Sequence, residues 1–318
     1  MASSVDEGGD SSREGIVAGL IAYTLWGFLP IYFKIVQDVA PLEVLAHRIV
    51  WAVPFGMPIV LARRQWPDVR RAFSDRRTLA LLALSAVLIA LNWLVYIWAV
   101  QSGRIFQGSL GYYINPLMNV LIGIAFFRER LRALQVAAVW LAAAGVAVLT
   151  LSGGQFPAIA LTLATSFTLY GVIRKRAPIG AMPGLFVETL ILFPFAAAYL
   201  AHLVLADSAA FGVDDPSAMG TLMLAGPFTV LPLLAFATAA RRLRLSTLGI
   251  MQFISPTLQF AIGLAYGETL TRAHVFCFGL IWIAVAAFSF DAWRSARGAE
   301  PAAAAVARPA RRAAGDRV

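Results

Sequence analysis

The sequence consists largely of long apolar windows, each close to the length of about 20 residues that an α-helix needs to cross a bilayer. Short linkers join consecutive windows, so neighbouring helices are expected to run antiparallel. The windows predict an all-α integral membrane protein with ten transmembrane helices. They are Gly15–Val36, Leu42–Ala62, Thr78–Val100, Ile105–Phe127, Ala133–Leu151, Phe156–Ile173, Ala181–Ala206, Ala218–Ala240, Leu245–Gly267 and Ala273–Ala292.

The composition supports a membrane protein and argues against an ordinary soluble domain. Apolar residues make up 60% of the chain and charged residues 14%, against about 45–50% and about 25% in soluble domains. A net charge of +9 is typical of some nucleic-acid-binding proteins, but here the basic residues lie in short clusters between the apolar windows. We therefore expect the lipid bilayer as a partner, and no nucleic acid.

The single cysteine, Cys277, excludes an intrachain disulfide, and its apolar surroundings in the sequence predict a small buried hydrophobic residue. The acidic N-terminus lacks the basic region of a secretory signal, so the first window is predicted to be an uncleaved span. Residues 1–14 and 294–318 are predicted to be disordered cytoplasmic tails, and the second of them is basic.

The Lys and Arg residues are distributed unevenly between alternate linkers. With the N-terminus placed inside, the inner segments hold 22 of the 26 basic residues, and the outer linkers hold two, Arg104 and Arg272. The remaining two, Lys34 and Arg48, lie within windows. Because positive charge accumulates on the cytoplasmic side of membrane proteins, this distribution predicts that both termini are cytoplasmic.

An offset of 140 residues aligns the two halves of the chain. It places Pro116 on Pro256, and it also places a proline of the second window on a proline of the seventh. Each half holds five windows, an odd number, so the second half must enter the membrane inverted. Inverted repeats are typical of secondary transporters, whose substrate site lies near the midplane between the halves. We predict one five-helix repeat at 15–151 and a second, inverted one at 152–293.

Three phrases resemble a known family: LNWLVYIWAV (Leu91–Val100), SLGYYINPLMNVLIG (Ser109–Gly123) with RERL (Arg128–Leu131), and LGIMQFISPTLQF (Leu248–Phe260). They resemble the RarD branch of the EamA transporters, in the drug/metabolite transporter superfamily. The resemblance implies ten helices, arranged as two inverted five-helix EamA repeats in a bacterial inner membrane. RarD proteins are labelled chloramphenicol-sensitivity proteins, and the resemblance leaves the substrate open.

Two charged residues inside windows are candidates for the transport site, because charged groups within a membrane face the bundle interior or a wet cavity. Arg48 lies about two turns into the second window, and the 140-residue offset places it on Glu188. We expect Arg48 to bind an anionic substrate group and Glu188 to couple transport to protons. The two either pair or flank a common cavity. Alternatively, Arg48 extends to the outer interface and Glu188 is a structural ion-pair partner.

Further polar residues in the first three windows are candidate substrate contacts: Lys34, His47, Asn92, Trp93 and Tyr96. Lys34 and His47 flank Arg48 toward the outer side, where an interfacial role is the alternative. Asn92 and Tyr96 share a helix face. The alternative for Asn92 is a hydrogen bond between helices, and for Trp93 it is the interfacial aromatic belt.

Two polar stripes accompany the prolines of the fourth and ninth windows. Pro116 and Pro256 each remove a backbone hydrogen bond, and both are predicted helix breaks. The freed carbonyl groups need partners, which water or substrate can supply in a cavity. The stripes, which either line that cavity or join helices together, are Tyr112, Asn115 and Asn119 in the fourth window and Gln252, Ser255 and Gln259 in the ninth.

The sequence contains no motif for ATP hydrolysis, metal binding or catalysis. A P-loop is absent, and the side chains with ligating atoms, His47, His202, His274 and Cys277, lack metal-ligand spacing. We therefore expect no enzymatic activity, no cofactor and no metal, with an ion or solute gradient as the driving force.

These features predict a secondary transporter that exports a small organic metabolite or drug-like compound by alternating access, with proton coupling as one source of drive. A non-transporting sensor or assembly protein on the same scaffold is the alternative. A membrane-embedded enzyme is disfavoured because the polar groups lie at depth in both halves rather than at one leaflet. The fifth and tenth windows are nearly free of polar groups and are assigned to scaffold or dimer contacts, so we expect a monomer or homodimer.

Overall fold

The computed structural model describes residues 6–127, 132–153, 156–210, 216–243, 245–287 and 289–291. Within these ranges the fold is all-helical and contains no strand. Seven of the described helices are long and apolar enough to cross a membrane. The predicted all-α class is therefore confirmed, whereas the count of ten spans stays a prediction.

Every predicted window contains helix in the structure. Two windows hold a pair of helices each, because the chain leaves the helix at Leu224 in one and at Gln252 and Phe253 in the other. The helices are α1 (Asp6–Ile35), α2 (Pro41–Ala62), α3 (Trp66–Ser74), α4 (Arg76–Gln101), α5 (Ile105–Phe127), α6 (Ala133–Gly153), α7 (Ala158–Arg176), α8 (Ala181–Leu205), α9 (Pro216–Met223), α10 (Ala225–Arg242), α11 (Leu245–Met251), α12 (Ile254–Ala265) and α13 (272–287).

Helix α1 begins at Asp6, so residues 6–14 continue the first helix instead of forming the disordered segment predicted for 1–14. Once a helix is nucleated, each added residue gains a backbone hydrogen bond without needing apolar burial. Glu14 also lies 2.9 Å from Arg242 of α10 and ties this polar extension to the bundle. Residues 1–5 and the predicted C-terminal tail at 294–318 lie outside the described residues.

The prolines do not all break their helices. Pro116 lies inside the continuous helix α5, so the predicted break at this position is wrong. A proline removes one helical hydrogen bond, but a membrane helix tolerates this where neighbouring helices supply other partners, and α5 packs between α7 and α12. Pro256 itself lies inside α12, and the chain leaves the helix upstream of it, at Gln252 and Phe253.

The helices pack in a pattern that joins the two halves of the chain. Helix α1 packs against α10 and α12, while α7 packs against α4 and α5. Helices α2 and α8 pack on each other, and both also contact further helices of the opposite half, mainly α10 for α2 and α4 for α8. The largest buried cluster lies where these helices meet and includes Phe33, Trp93 and Tyr96.

Helix α3 is a short amphipathic segment between two candidate spans. Its buried residues Val69 and Ala72 belong to a cluster with Phe186 and Val187 of α8. The next helix, α4, is capped by Asp75, whose carboxylate accepts hydrogen bonds from the backbone N–H groups of Arg77 and Thr78. Hydrogen bonds from the Thr78 side chain and backbone lower the pKa of Asp75 below its ordinary value. The cap therefore favours the ionised carboxylate.

Candidate functional site

Arg48 lies in the interior of the bundle and is only 5% exposed. Its Nε donates a hydrogen bond of 2.8 Å to Oγ1 of Thr229 on α10. The guanidinium carbon lies 4.1 Å from the ring centroid of Trp93 on α4 and 5.9 Å from that of Phe33 on α1. Three helices besides its own therefore position this cation, and its charge is stabilised by the faces of aromatic rings.

The Arg48 guanidinium has no carboxylate partner within the described residues. The one hydrogen bond that the guanidinium donates in that part of the chain is the bond from Nε to Thr229. Its two terminal nitrogens donate none there. Its polar neighbours include Tyr32, Tyr96 and Tyr112. Since a buried charge needs compensation, this arrangement leaves two donor nitrogens, with four N–H groups, suited to an anionic group that arrives with a ligand.

Glu188 is fully buried on α8 and does not pair with Arg48. Its Oε1 lies 3.5 Å from Nε of Arg174 and accepts a hydrogen bond of 2.6 Å from Ser85. Its Oε2 accepts a bond of 3.3 Å from the hydroxyl of Tyr170. Of the two arrangements that the sequence allowed, direct pairing with Arg48 is thus not the one observed, because α7 supplies a cation to this carboxylate.

The two charged residues have matching neighbours in opposite halves of the chain. Arg48 on α2 binds a hydroxyl of α10, whereas Glu188 on α8 binds a hydroxyl of α4. The partners are Thr229 and Ser85, which sequence reasoning missed because neither stands out among the Ser and Thr residues of the apolar windows. Each bond joins helices from different halves, so a relative movement of the halves would alter both.

Asn92 ties three helices together at the centre of the structure. Its Nδ2 donates to the backbone oxygen of Leu163 and to Oγ of Ser166, each at 2.9 Å, and both partners are on α7. Its Oδ1 accepts from the hydroxyl of Tyr112 on α5 at 3.4 Å. The interhelical hydrogen bonds expected as the alternative for Asn92 are therefore present, and they hold Tyr112 beside the Arg48 site.

The aromatic candidates are brought close to Arg48. Trp93 lies under the guanidinium rather than in an interfacial belt. The Tyr96 ring packs against Phe33 and Tyr112, at centroid distances of 6.0 and 5.4 Å. The Tyr96 hydroxyl is buried without a hydrogen-bond partner in the described structure. The result is an aromatic enclosure with a polar group available inside it.

The polar stripes of α5 and α12 each contain a buried amide oxygen without a partner in the described structure. The Asn115 amide oxygen is buried and has no partner among the described residues, and the Asn119 side chain lies outside them. On α12, Gln259 donates to Ser255 at 3.1 Å and to the backbone oxygen of Trp26 at 3.2 Å, while its own Oε1 has no described partner. The half-buried Gln252 lies in the interruption before α12.

Two hydrogen bonds from residues outside the predicted polar stripes connect α5 directly to α12. Ser109 donates to the backbone oxygen of Pro256 at 2.8 Å, and the hydroxyls of Tyr113 and Thr257 lie 2.6 Å apart. Ser109 lies three residues before Tyr112, so its place on the same helix face was the feature that could have identified it.

His47 and Lys34 interact away from the guanidinium. His47 accepts a hydrogen bond of 3.3 Å from Trp51 at Nδ1, and its Nε2 lies 4.0 Å from Glu43, so these contacts run along α2. Lys34, at the end of α1, lies 5.9 Å from the ring centroid of Tyr266 in the segment that follows α12. These contacts therefore do not place His47 or Lys34 at the guanidinium of Arg48.

Glu268, in the segment that follows α12, caps a helix of the other half. Its carboxylate accepts hydrogen bonds from the backbone N–H groups of Ile105 and of Phe106, the second at 2.8 Å. Burial raises the pKa of Glu268, and the two N–H donors act in the opposite direction. This carboxylate satisfies backbone N–H groups of the first turn of α5, which have no partner within the helix. A metal-binding cluster of three or more His, Cys, Asp or Glu residues is absent from the described ranges.

Comparison with known proteins identifies relatives along nearly the whole chain. Residues 13–151 match the EamA-like transporter family. Protein RarD of Salmonella typhi is 44% identical over 282 residues, which cover 88% of this chain and 96% of that protein. An uncharacterized transporter of Pseudomonas aeruginosa is 43% identical over 293 residues, which cover 90% of this chain and 96% of that protein.

A solved crystal structure shares the fold. It superposes with a TM-score of 0.59 at 19% identity, and the match covers 88% of this chain and 99% of that one. At this identity the likeness concerns architecture alone. Together with the apolar helices, the relatives establish a multi-pass membrane protein.

Proposed function

The chain belongs to the EamA-like transporter family, and from that premise we propose that it is a secondary transporter for a small organic molecule that carries an anionic group. The observation that carries the proposal is Arg48, a buried cation with free donors and without a carboxylate partner in the described structure. A charge of this kind within a membrane is costly unless a ligand or water compensates it.

The surroundings of Arg48 also indicate what else the ligand carries. Trp93 and Phe33 present ring faces to the guanidinium, and the rings of Tyr96 and Tyr112 pack next to Phe33 and to each other. An apolar or planar body packs favourably on such surfaces, while a carboxylate or similar group is held by the guanidinium donors. We therefore assign the substrate class as organic anions with an apolar body. The other substrate contacts predicted from the sequence, Lys34, His47 and Gln252 among them, stay predictions.

The scaffold that we propose for this activity is ten spans in two inverted repeats, 15–151 and 152–293, with both termini cytoplasmic. The packing pattern supports it, since the contacts of α1 with α10 and α12 are repeated by α7 with α4 and α5. The matching bonds of Arg48 and Glu188 to the opposite half agree with the same symmetry. The 22 to 2 distribution of basic residues supports the orientation.

Alternating access on this scaffold would move one half against the other. The interruption at Gln252 and Phe253 is a place where backbone dihedral angles can change without disrupting a continuous helix. Bonds between halves, such as those of Glu268 with the start of α5, would form in one state and open in the other. The transport direction that we propose is export, across a bacterial inner membrane.

Glu188 is our candidate for proton coupling. Its carboxylate forms an ion pair with Arg174 and accepts hydrogen bonds from Ser85 and Tyr170. All three contacts depend on the ionised carboxylate. Protonation would weaken the ion pair with Arg174 and convert one oxygen into a donor. Since this change reaches α4 through Ser85, it would couple the protonation state to the contact between halves.

Counterflow in proteoliposomes tests the proposal. Purified protein would be assayed with matched panels of organic anions, amines and neutral compounds of similar size. We expect saturable flux for members of the anionic panel, lost in Arg48→Ala and retained in the control Arg104→Ala. Arg104 is a suitable control because it also lies over a tryptophan ring, that of Trp98 at 5.1 Å, but is exposed.

Three outcomes would change the assignment. Flux confined to amines would contradict the role of Arg48. Equal flux in Arg48→Ala at equal expression would do the same. Saturable binding without flux for any compound would favour the alternative, a membrane sensor or assembly protein. Size-exclusion chromatography with light scattering would decide between monomer and homodimer, for which α6 offers exposed apolar residues such as Trp140.

A further inference from the structure

Helix α3 carries an exposed stripe that the transport site does not explain. Trp66 and Phe73 are 36% and 44% exposed, and Arg70 between them is exposed as well. The spacing of i, i+4 and i+7 places all three on one side of the helix. Two large apolar side chains flanking a cation are typical of helices that lie in the headgroup region of a bilayer.

The position of α3 keeps this stripe at the end of the bundle. Val69 and Ala72 on another face are buried against α8, so the helix cannot rotate freely. The chain reaches α3 through a tight turn directly after α2, in which Arg64 adopts a φ of 55°. Helix α4 begins two residues after α3 ends. The stripe therefore lies level with the ends of two candidate spans.

The same end of the bundle has a large excess of positive charge. Around α3 the basic residues are Arg63, Arg64, Arg70, Arg71, Arg76 and Arg77. Two acids lie within this group of six arginines: Asp68, 3.6 Å from the exposed Arg71, and the cap Asp75, whose carboxylate neighbours Arg77. Arg63 additionally lies near the cations Arg241 and Arg242 at the end of α10.

Like charges that converge in this way repel each other unless an anion lies between them. Burial together with the two neighbouring arginines lowers the pKa of Arg63. Glu14 forms an ion pair of 2.9 Å with Arg242, but this pair does not reduce the excess of positive charge around α3. Three features thus coincide at one level of the molecule: a rigid helix, an exposed Trp–Arg–Phe stripe and a cluster of arginines.

We propose that α3 and the arginines around it form a binding surface for the headgroups of anionic phospholipids. The arginine side chains bind the phosphate groups, and Trp66 and Phe73 insert among the upper parts of the acyl chains. Such binding would anchor the end of the bundle where α2 and α4 meet the surface. It is independent of what the Arg48 site transports.

A lipid titration of the full-length protein in detergent tests the proposal. The probes are short-chain phosphatidylglycerol and short-chain phosphatidylcholine, and the readouts are thermal stability and the number of bound lipids by native mass spectrometry. We expect phosphatidylglycerol to raise the melting temperature by several degrees and phosphatidylcholine to have little effect. High salt is expected to reduce the phosphatidylglycerol effect, because the interaction is electrostatic.

Two variants and a matched control locate the surface. Arg70→Gln with Arg76→Gln should weaken phosphatidylglycerol binding about tenfold, and Trp66→Ala should weaken it less. The control, Arg104→Gln with Arg272→Gln, removes the same charge from the segment before α5 and from the first residue of α13, and should bind like the wild type. Both control residues are exposed.

Three results would overturn the proposal. One is an equal response to both lipids. Another is a loss of binding in the control that matches the loss in the Arg70 and Arg76 variant. The third is competition by an RNA oligonucleotide as effective as that by phosphatidylglycerol, which would indicate a general polyanion surface. None of these results depends on transport, so the proposed function is tested separately.

Discussion

Ser85 donates a hydrogen bond of 2.6 Å to Glu188, a residue 103 positions later in the chain. Ser85 is on α4 and Glu188 on α8, so the bond joins the two halves. On the other side of the site, Arg48 of α2 donates to Thr229 of α10 at 2.8 Å. A buried anion and a buried cation are thus each held by a hydroxyl from the opposite half, and this relationship leads to the first two predictions.

Glu188→Gln should uncouple transport from the pH gradient. The amide keeps the size of the side chain but removes the charge that pairs with Arg174 at 3.5 Å. We expect uptake driven by a pH gradient to fall by tenfold or more, while exchange of substrate at equal pH continues. Flux in proteoliposomes with and without the gradient measures this, with Asp38→Asn, an exposed acid, as the control. An unchanged gradient response in Glu188→Gln would exclude the coupling role.

Thr229→Val should weaken substrate binding less than Arg48→Ala does. The valine has nearly the same shape but offers no acceptor to Nε of Arg48, so the guanidinium loses its fixed orientation over Trp93. We expect the apparent affinity for an anionic substrate to fall severalfold with little change in expression. Binding isotherms would show it. A loss as large as that of Arg48→Ala would mean that Thr229 itself contacts the substrate.

Asn92→Leu should destabilise the packing of α4 on α7. The substitution removes two hydrogen bonds of 2.9 Å and leaves the partners on α7 with fewer bonds in an apolar environment. The expected cost in the free energy of unfolding is about 1–3 kcal/mol. Thermal unfolding in detergent measures it. Thr150→Val is the control, because Thr150 bonds the backbone of its own helix at 2.8 Å, and an equal loss there would contradict the interhelical role of Asn92.

Glu268→Ala should loosen the start of α5. Without the carboxylate, the N–H groups of Ile105 and Phe106 lose an acceptor in a partly buried position. We expect faster amide hydrogen exchange in the first turn of α5 and a loss of about 1–3 kcal/mol in stability. If the first turn of α5 in Glu268→Ala is as well protected from amide hydrogen exchange as in the wild type, water fully replaces the carboxylate.

Asp75 gives a prediction for pH dependence. Its pKa in the folded protein is lowered by the Thr78 hydrogen bonds, so the ionised cap stabilises the folded state above the ordinary value of 3.8. That contribution is lost as the pH falls below 3.8 through the folded pKa. The variant Asp75→Asn keeps a capping side chain but does not titrate. The difference in melting temperature between wild type and variant should therefore shrink or reverse on acidification, and a constant difference would contradict the cap.

The membrane class and the family could be derived from local features of the chain. Apolar windows of about the length of a bilayer span predict helices because only helices and closed barrels satisfy their backbone groups in lipid. Asn92 could likewise be identified as a residue that needs a partner, since its amide lies far from both ends of its window. Which partner it finds depends on how α7 packs, and the sequence of α4 holds no information about that.

Pro116 and Pro256 lie in similar sequence settings, but the helix is continuous around the first and interrupted shortly before the second. The local effect of proline on hydrogen bonding is the same at both places. Helix α5 packs along α7 and α12, and neighbouring helices of this kind can hold the groups that a proline frees in helical geometry.

The sequence by itself determined that the chain is helical, embedded in a membrane and related to the EamA-like transporters, because these properties follow from hydropathy and from similarity along the chain. It also identified Arg48 and Glu188 as charges in apolar surroundings. Only the tertiary structure decided that they do not pair, and that Thr229, Ser85 and Arg174 are their partners. The physical reason is that a hydrogen bond or ion pair needs atoms within a few ångströms, which helix packing alone brings about.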